Sequence, residues 1–408
     1  MRAEEWFKGA LELGDDWIVT EVQFEDDPLR VEAHVVYDGE YVCPVCGCKC
    51  SRYDTRRRIW RDIDFGSAHA DVYAEFPRVR CPSHGVREVQ VSWAGNVTRL
   101  TRRFEKRCIE YAIAMPLSLA EQLLGVSDDL IRRVVEHESD TLMQDSDFSD
   151  VRRLCIDETK SKKGQKYITV VSNADTGRVI FATLGKDSTT MCELRTWLIF
   201  HNCDPDGIVE ICSDMGEAYK RGCRVYFPKA VQVFDKYHIV QDANLMISAV
   251  RRGIGIKGRD GRTIRFKLQK NAEDLDEDEE RILDAVLDEY SDIGVAYLVK
   301  EAIRDFYKTR DPDHAPSMLR NVISVAMNSG IKAVETFGKT LDEHFDGIVA
   351  WHVHNINNGL AEGINSSIQA MKSMARGYGN PEHMISLVYL RSAYKTKFDR
   401  LPEGSDFA

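Results

Sequence analysis

The chain has 408 residues, enough for two or three domains, and its 43% hydrophobic content supports a sizeable core. No apolar run reaches the roughly eighteen residues a membrane-spanning helix requires. The acidic opening MRAEEWFKGALELGDDW lacks the apolar stretch of a secretory signal, so the expected compartment is the cytoplasm.

The net charge of −11 argues in sum against a polyanionic partner, but it is unevenly spread. Residues 1–40 hold twelve acids and three bases, whereas residues 49–107 hold fourteen Lys/Arg against seven acids. A second basic cluster, 251–270, carries eight bases and one acid and is followed by an acidic run over 273–292. Phosphate binding needs local positive potential, which both clusters supply.

In chain order, residues 28–42 alternate as a strand and turn, and 69–80 read as a second strand. Between and after them five of the eleven cysteines crowd together: Cys43, Cys46, Cys48, Cys50 and Cys81. An odd cysteine count without a leader favours thiols or metal ligands over disulfides. Cys43-Pro-Val-Cys46 and Cys81-Pro-Ser-His84 each leave two residues between potential ligands, the spacing of a knuckle that turns both side chains onto one ion. Two knuckles predict one structural Zn2+ held by Cys43, Cys46, Cys81 and His84, with Cys48 and Cys50 as spare thiols that could compete. Residues 1–92 are therefore expected to form a small β-rich zinc module.

Residues 93–150 read as helical, either a helix-turn-helix DNA-binding domain or an ordinary helical hairpin. SLAEQLLGVSDDLIRRVVEH has helix-turn-helix spacing: Gly125 breaks the first helix, Ser127 caps the second, and Asp128 and Asp129 occupy its acid-favouring first turn. Leu119, Leu123 and Leu124 are expected on one buried face, and Ile131, Val134 and Val135 on the other. Expected DNA contacts are Arg56, Arg57 and Arg58 in the zinc module, Arg99, Arg102 and Arg103 with Lys106 and Arg107 upstream of the turn, and Arg132 and Arg133 on the second helix.

From residue 151 the pattern becomes β-β-β-α-β-α-β-α, an α/β arrangement. RRLCIDET and GIVEICSDMG are buried strands that end in acids, so Asp157 and Asp214 would emerge at a sheet edge. If the two strands are neighbours, the carboxylates converge, and paired carboxylates hold hard cations such as Mg2+. Residues 240–350 read as mainly helical, and 355–376 as a helix starting near Asn357-Asn358-Gly359.

These features together resemble the DDE transposases of bacterial insertion sequences, in the group called ISL-three, over nearly the whole chain. The resemblance rests on the cysteine knuckles, the Arg-rich stretch, the helix-turn-helix, IDET, SDM, FDKYHIV (234–240) and NNGLAEGINSSIQAMKSMARGYGN (357–380). The last block matches the family pattern Asn-Gly-x-x-Glu-Gly-x-Asn. It implies that Glu362 is the third acid beside Asp157 and Asp214, and that Asp235 and His238 form an Asp-x-x-His element near the scissile phosphate; Asn365 lies one helical turn from Glu362. The family pattern is departed from at His84, where relatives often carry a more distant cysteine, and after the glutamate, where the basic residues reduce to Lys372 and Arg376.

The resemblance implies a multidomain α/β chain. An RNase H-like mixed sheet over 151–408, with a helical insertion at about 245–350, follows the zinc module and the helix-turn-helix domain. It further implies two Mg2+ or Mn2+ on Asp157, Asp214 and Glu362, double-stranded DNA as partner at the element ends and the target, and strand cleavage followed by strand transfer. Uniting two ends favours a homodimer or higher assembly. The alternatives are a zinc and helix-turn-helix regulator without catalysis, and an RNase H-like nuclease that cuts without joining.

Overall fold

The structure, a computed structural model, describes all residues except 1, 96, 161–166, 257, 310, 355–358, 376–378 and 399–408. The side chains of 188, 258–260, 359–362, 364–365 and 395–398 are also outside the description. The chain divides into two compact units, one of Met1–Asp145 with Gln369–Tyr394 and one built on Ser146–Ile368. No described helix is long and apolar enough to cross a membrane.

The first unit opens with α1 (Ala3–Ala10), followed by β1 (Trp17–Asp26), β2 (Leu29–Tyr37), β3 (Ser51–Phe65), β4 (Ala68–Cys81) and β5 (Gly85–Glu88). The sheet order is β1-β2-β4-β3, with β5 on β4; β2 and β4 are parallel and the other pairs antiparallel. β3 escapes an apolar-alternation search because only Trp60 and Asp62 along it are buried. Its arginines pair across the sheet instead, as Arg57 does with Glu75 directly opposite. Trp17, Trp93 and Trp60 stack edge to face, 5.2 and 5.1 Å between ring centres, at the heart of this core.

Helices α2 (Arg102–Ala114), α3 (Leu117–Leu124) and α4 (Asp128–Gln144) follow. Gly125 ends α3 with φ +64°, and the Ser127 hydroxyl accepts from the Leu130 amide at 3.4 Å, as the turn chemistry predicts. Ile131, Val134 and Val135 are buried. The expected face of α3 is corrected: Ala120 and Leu124 point inward, whereas Leu119 and Leu123 are 43% and 59% exposed. The small Ala120 lets α3 approach closely, so the buried stripe is rotated from the one the leucines marked.

The second unit continues with β6 (Arg153–Lys160), β7 (Tyr167–Asn173), β8 (Val179–Leu184), α5 (Ser188–Phe200), β9 (Glu210–Ser213), α6 (Glu217–Tyr226), β10 (Val231–Phe234) and α7 (Lys236–Gly253). Its sheet order is β10-β9-β6-β7-β8, with β10, β9 and β6 parallel and β7 antiparallel to both neighbours. Helices α8 (Gly258–Gln269), α9 (Glu277–Glu289), α10 (Ser291–Lys308), α11 (Ala315–Met327), α12 (Lys332–Glu343) and α13 (Phe345–His354) then form a helical body with α7, whose core includes Ile239, Ile293, Phe306, Leu319 and Leu341. α14 (Gly359–Met374) and α15 (Pro381–Phe398) close the chain. α15 packs in the first unit: Arg391 donates to the Ile113 carbonyl at 2.5 Å and Tyr394 to Glu138 at 3.0 Å.

Candidate functional site

Strand register brings the acids together. β6 and β9 run parallel with Cys155 opposite Cys212, and β9 and β10 with Ser213 opposite Phe234. Carried forward, the same register sets Asp157, Asp214 and Asp235 at one level across three neighbouring strands about 4.8 Å apart. Each acid follows an apolar run that the core demands, so the hydrophobic strands fix where the carboxylates surface. All three are tied down locally: Asp157 accepts from the Glu158 amide at 2.6 Å, Asp214 from the Gly216 amide at 2.9 Å, and Asp235 caps α7 by accepting from the Tyr237 amide at 3.0 Å.

Burial raises the Asp157 carboxyl to about pKa 6, with the charges of Asp235 and Asp214 adding to the rise and the backbone of Glu158 and the charge of His238 opposing it. His238 is raised in turn, first by its 3.1 Å hydrogen bond to Asp235 and then by the charges of Asp235, Asp157 and Asp214, against desolvation. Asp235 and His238 were drawn from the family resemblance; the structure places both beside Asp157 and Asp214. Three carboxyls around one imidazole leave an excess of acid over base, and their oxygen donors suit a hard divalent ion.

Sequence reasoning missed Asp242. It lies one turn beyond His238 on α7, and burial raises its carboxyl, opposed by the charge of His238 and reinforced by that of Asp214. The i, i+3, i+7 spacing of Asp235, His238 and Asp242 is the signal that could have found it. Glu158, next to Asp157 on β6, has its carboxyl raised by burial while its contacts with Tyr219 and Lys186 (3.8 Å) oppose the rise.

Glu362 lies in the first turn of α14; its side chain and that of Asn365 are outside the described residues. Among the described residues, the acids do not close into a group of three with oxygens all within 4.8 Å. The chain leading to Glu362 is anchored, however. The His354 imidazole meets Glu210 at 2.7 Å, and its carbonyl accepts from Arg153 at 2.9 Å, while Arg153 also holds Glu210 at 2.7 Å.

The knuckle residues also meet. Cys43, Cys46, Cys81 and His84 place their ligand atoms within 4.8 Å of one another. Gly47, at φ +68°, turns the chain after Cys46, and its amide donates to the Cys43 carbonyl at 2.8 Å. Cys43 to His84, Cys81 to His84 and Cys46 to Cys81 measure 3.7, 3.5 and 3.8 Å. A tetrahedral ion with metal–sulfur bonds of about 2.3 Å requires edges of about 3.8 Å, so the donor set fits Zn2+. Burial works against a Cys81 thiolate, but hydrogen bonds from His84 and the Ser83 and His84 backbone outweigh it and lower the thiol to about pKa 5.

The expected DNA contacts divide. Arg103 is engaged inside the fold: it bonds the fully buried Asp62 at 2.9 and 3.1 Å, and also the Ala10 carbonyl. Arg57 pairs with Glu75 (2.6 Å), Arg58 with Glu88 (2.7 Å), and Arg132 with Asp129 (2.7 Å). Arg56, Arg99, Arg102 and Arg133 are exposed. Arg102, Lys106 and Arg107 line a cleft of about 390 Å³ together with Glu12 and Glu110.

Comparison with known proteins decides the family. A family model described as transposase, that of the ISL3 group of DDE transposases, matches residues 154–388, more than half the chain. The chain belongs to the ISL3-group DDE transposases. It is 27% identical to the transposase for insertion sequence element IS1557 of Mycobacterium tuberculosis, covering 96% of each chain. It is 24% identical to the transposase for IS1001 of Bordetella parapertussis, covering 92% of this chain and 95% of the relative. The family implies an enzyme that modifies DNA and uses divalent metal, which agrees with the acid-rich strand ends of this transposase.

Proposed function

We propose that this transposase binds the terminal inverted repeats of its insertion sequence and cuts and transfers the DNA strands, with Asp157, Asp214 and Glu362 holding two Mg2+ or Mn2+. The observation that carries the proposal is the shared level of Asp157 and Asp214 on adjacent parallel strands, with Asp157 desolvated to a pKa of about 6. The β8-β7-β6-β9-β10 order, with β7 alone running against the other four strands, supports an RNase H-like catalytic fold. When bound, the ions supply charge neutralisation at the scissile phosphate and a lowered pKa for the attacking oxygen. Asp157 and Asp214 then act as fixed holders on rigid strands, and positioning with charge neutralisation carries the in-line displacement without a covalent enzyme intermediate. Asp235 orients His238 through the 3.1 Å bond and favours the imidazolium, a cation directed at the phosphate.

The proposed division of labour gives end recognition to residues 1–92 and 93–150, with one structural Zn2+ on Cys43, Cys46, Cys81 and His84. Catalysis falls to the unit that begins near residue 151. Two ends joined in one reaction call for a homodimer or higher assembly on DNA, in the cytoplasm at the nucleoid. The test is Asp214→Asn. The variant should retain binding to end DNA and lose Mg2+-dependent strand cleavage by at least a hundredfold, roughly 3 kcal/mol of barrier. Undiminished cleavage removes the assignment, and cleavage without joined product from the wild type converts the reading to a nuclease.

A further inference from the structure

We infer that the cysteine cluster of the first unit is a two-ion site, in which Cys48, Cys50 and Cys81 hold a second thiophilic metal that shares the Cys81 sulfur with the Cys43, Cys46, Cys81 and His84 set. The second group places its three sulfurs within 4.8 Å of one another. Cys48 lies 3.6 Å from Cys81 and 3.7 Å from Cys50, close to the edge lengths that thiolates adopt around one ion.

The backbone builds this arrangement. The Cys43 amide donates to the Cys48 carbonyl at 2.9 Å and the Cys50 amide to the Tyr41 carbonyl at 2.8 Å, while Val42 bridges Lys49, so the loop returns on itself as a small hairpin. Cys48 and Cys50 are two residues apart in that returning strand and project to one side. β3 begins at Ser51 opposite Arg80, and one step back along the antiparallel ladder sets Cys50 against Cys81. Thus Cys81 is approached by one knuckle from each direction.

Charge allows the second ion. One Zn2+ on the Cys43, Cys46 and Cys81 thiolates leaves −1 with Cys48 and Cys50 protonated, and a second divalent ion that replaces those two protons leaves the same −1. Uptake of the second ion by two thiols and the Cys81 thiolate, which is already held by the first, releases two protons. Cys48 is exposed, so an ion can enter from solvent, which supplies the remaining coordination position. Sulfur donors select soft or borderline ions such as Zn2+, Cd2+ or Cu+.

The test titrates the full-length, reduced, metal-stripped protein with Cd2+ in excess Mg2+, reading thiolate-to-cadmium absorption, to which carboxylate-bound ions do not contribute. The wild type should reach its end point at two equivalents and Cys48→Ser/Cys50→Ser at one, with about two fewer protons released. An end point of one equivalent in the wild type overturns the proposal, as does two in the double variant. If the double variant fails to fold, as judged by circular dichroism, the wild-type end point decides alone. Neither outcome bears on Asp157 or Asp214, so the strand-transfer reading stands or falls separately.

Discussion

Without a divalent ion, Asp157→Asn should make the protein more stable. The Asp157 carboxyl is raised from 3.8 to about 6, chiefly by burial, with Asp235 and Asp214 adding to the rise. A folded-state pKa above the unfolded one means the native state holds the proton more tightly. The associated stability is intact below about pH 4 and lost as the pH rises through 6. At pH 7.5 the wild type therefore carries the whole cost of an ionised, crowded carboxylate, about 3 kcal/mol. By pH 5 that cost falls to about half. Asparagine keeps the shape and removes the charge. Thermal melts in magnesium-free buffer with zinc retained should show the variant melting roughly 5–10 °C higher at pH 7.5, with a smaller gap at pH 5. Saturating Mg2+ should close or reverse the gap, because the ion binds only the wild-type acid set well. A variant that melts at or below the wild type at pH 7.5 would refute the claim that this carboxylate is held against its own repulsion for an ion.

Three further outcomes follow from other contacts. Arg103→Ala should destabilise by about 3–5 kcal/mol, because it strands the buried Asp62, whereas Arg102→Ala should leave the melt within about 0.5 kcal/mol and lower DNA affinity and its salt dependence in filter binding. His383 on α15 is 2% exposed, and burial lowers it to about pKa 4. Its contribution to stability is thus present above about pH 6.5 and lost between there and 4, up to about 3 kcal/mol; His383→Gln should flatten that acid limb in pH-dependent melts. Gly347→Ala would set a Cβ 2.5 Å from the Phe234 ring, so the overpacked α13 against β10 should cost about 1–3 kcal/mol and slow DNA cleavage more than DNA binding.

The parts of the fold that one short stretch of sequence determines were legible. Gly125 and Ser127 mark a turn through local backbone chemistry, and the buried runs before Asp157 and Asp214 mark strands through composition alone. Features set by distant partners were not. β3 carries Arg56, Arg57 and Arg58 in a strand because β4 faces it, not because its own residues alternate. Arg103 looks like a surface cation until Asp62, far back in the chain, is placed beneath it. α15 follows α14 in sequence yet finds its partners in Ile113 and Glu138. Asp242 is an ordinary helical acid until α7 is docked with His238 toward the strand ends.

The helical body between Asp214 and Glu362 also positions the chain. α13 returns the chain from that body to the sheet: Ala350 and Trp351 pack on Cys155, Ala174, Cys212 and Val233, and Gly347 allows close contact with Phe234. Arg153 then gathers Glu210, Asp175 and the His354 carbonyl at the start of β6. From Arg153 to Asp157 is four strand residues, about 13 Å of sheet. The eight residues from His354 to Glu362 can span at most about 28 Å. A tether of that length, anchored about 13 Å from Asp157 along the sheet, allows Glu362 to reach the strand ends, as the proposed metal set requires. Loosening the clamp by Glu210→Ala should therefore weaken metal-dependent cleavage without touching any residue proposed to hold the ion, and the loss should appear as a higher Mg2+ requirement.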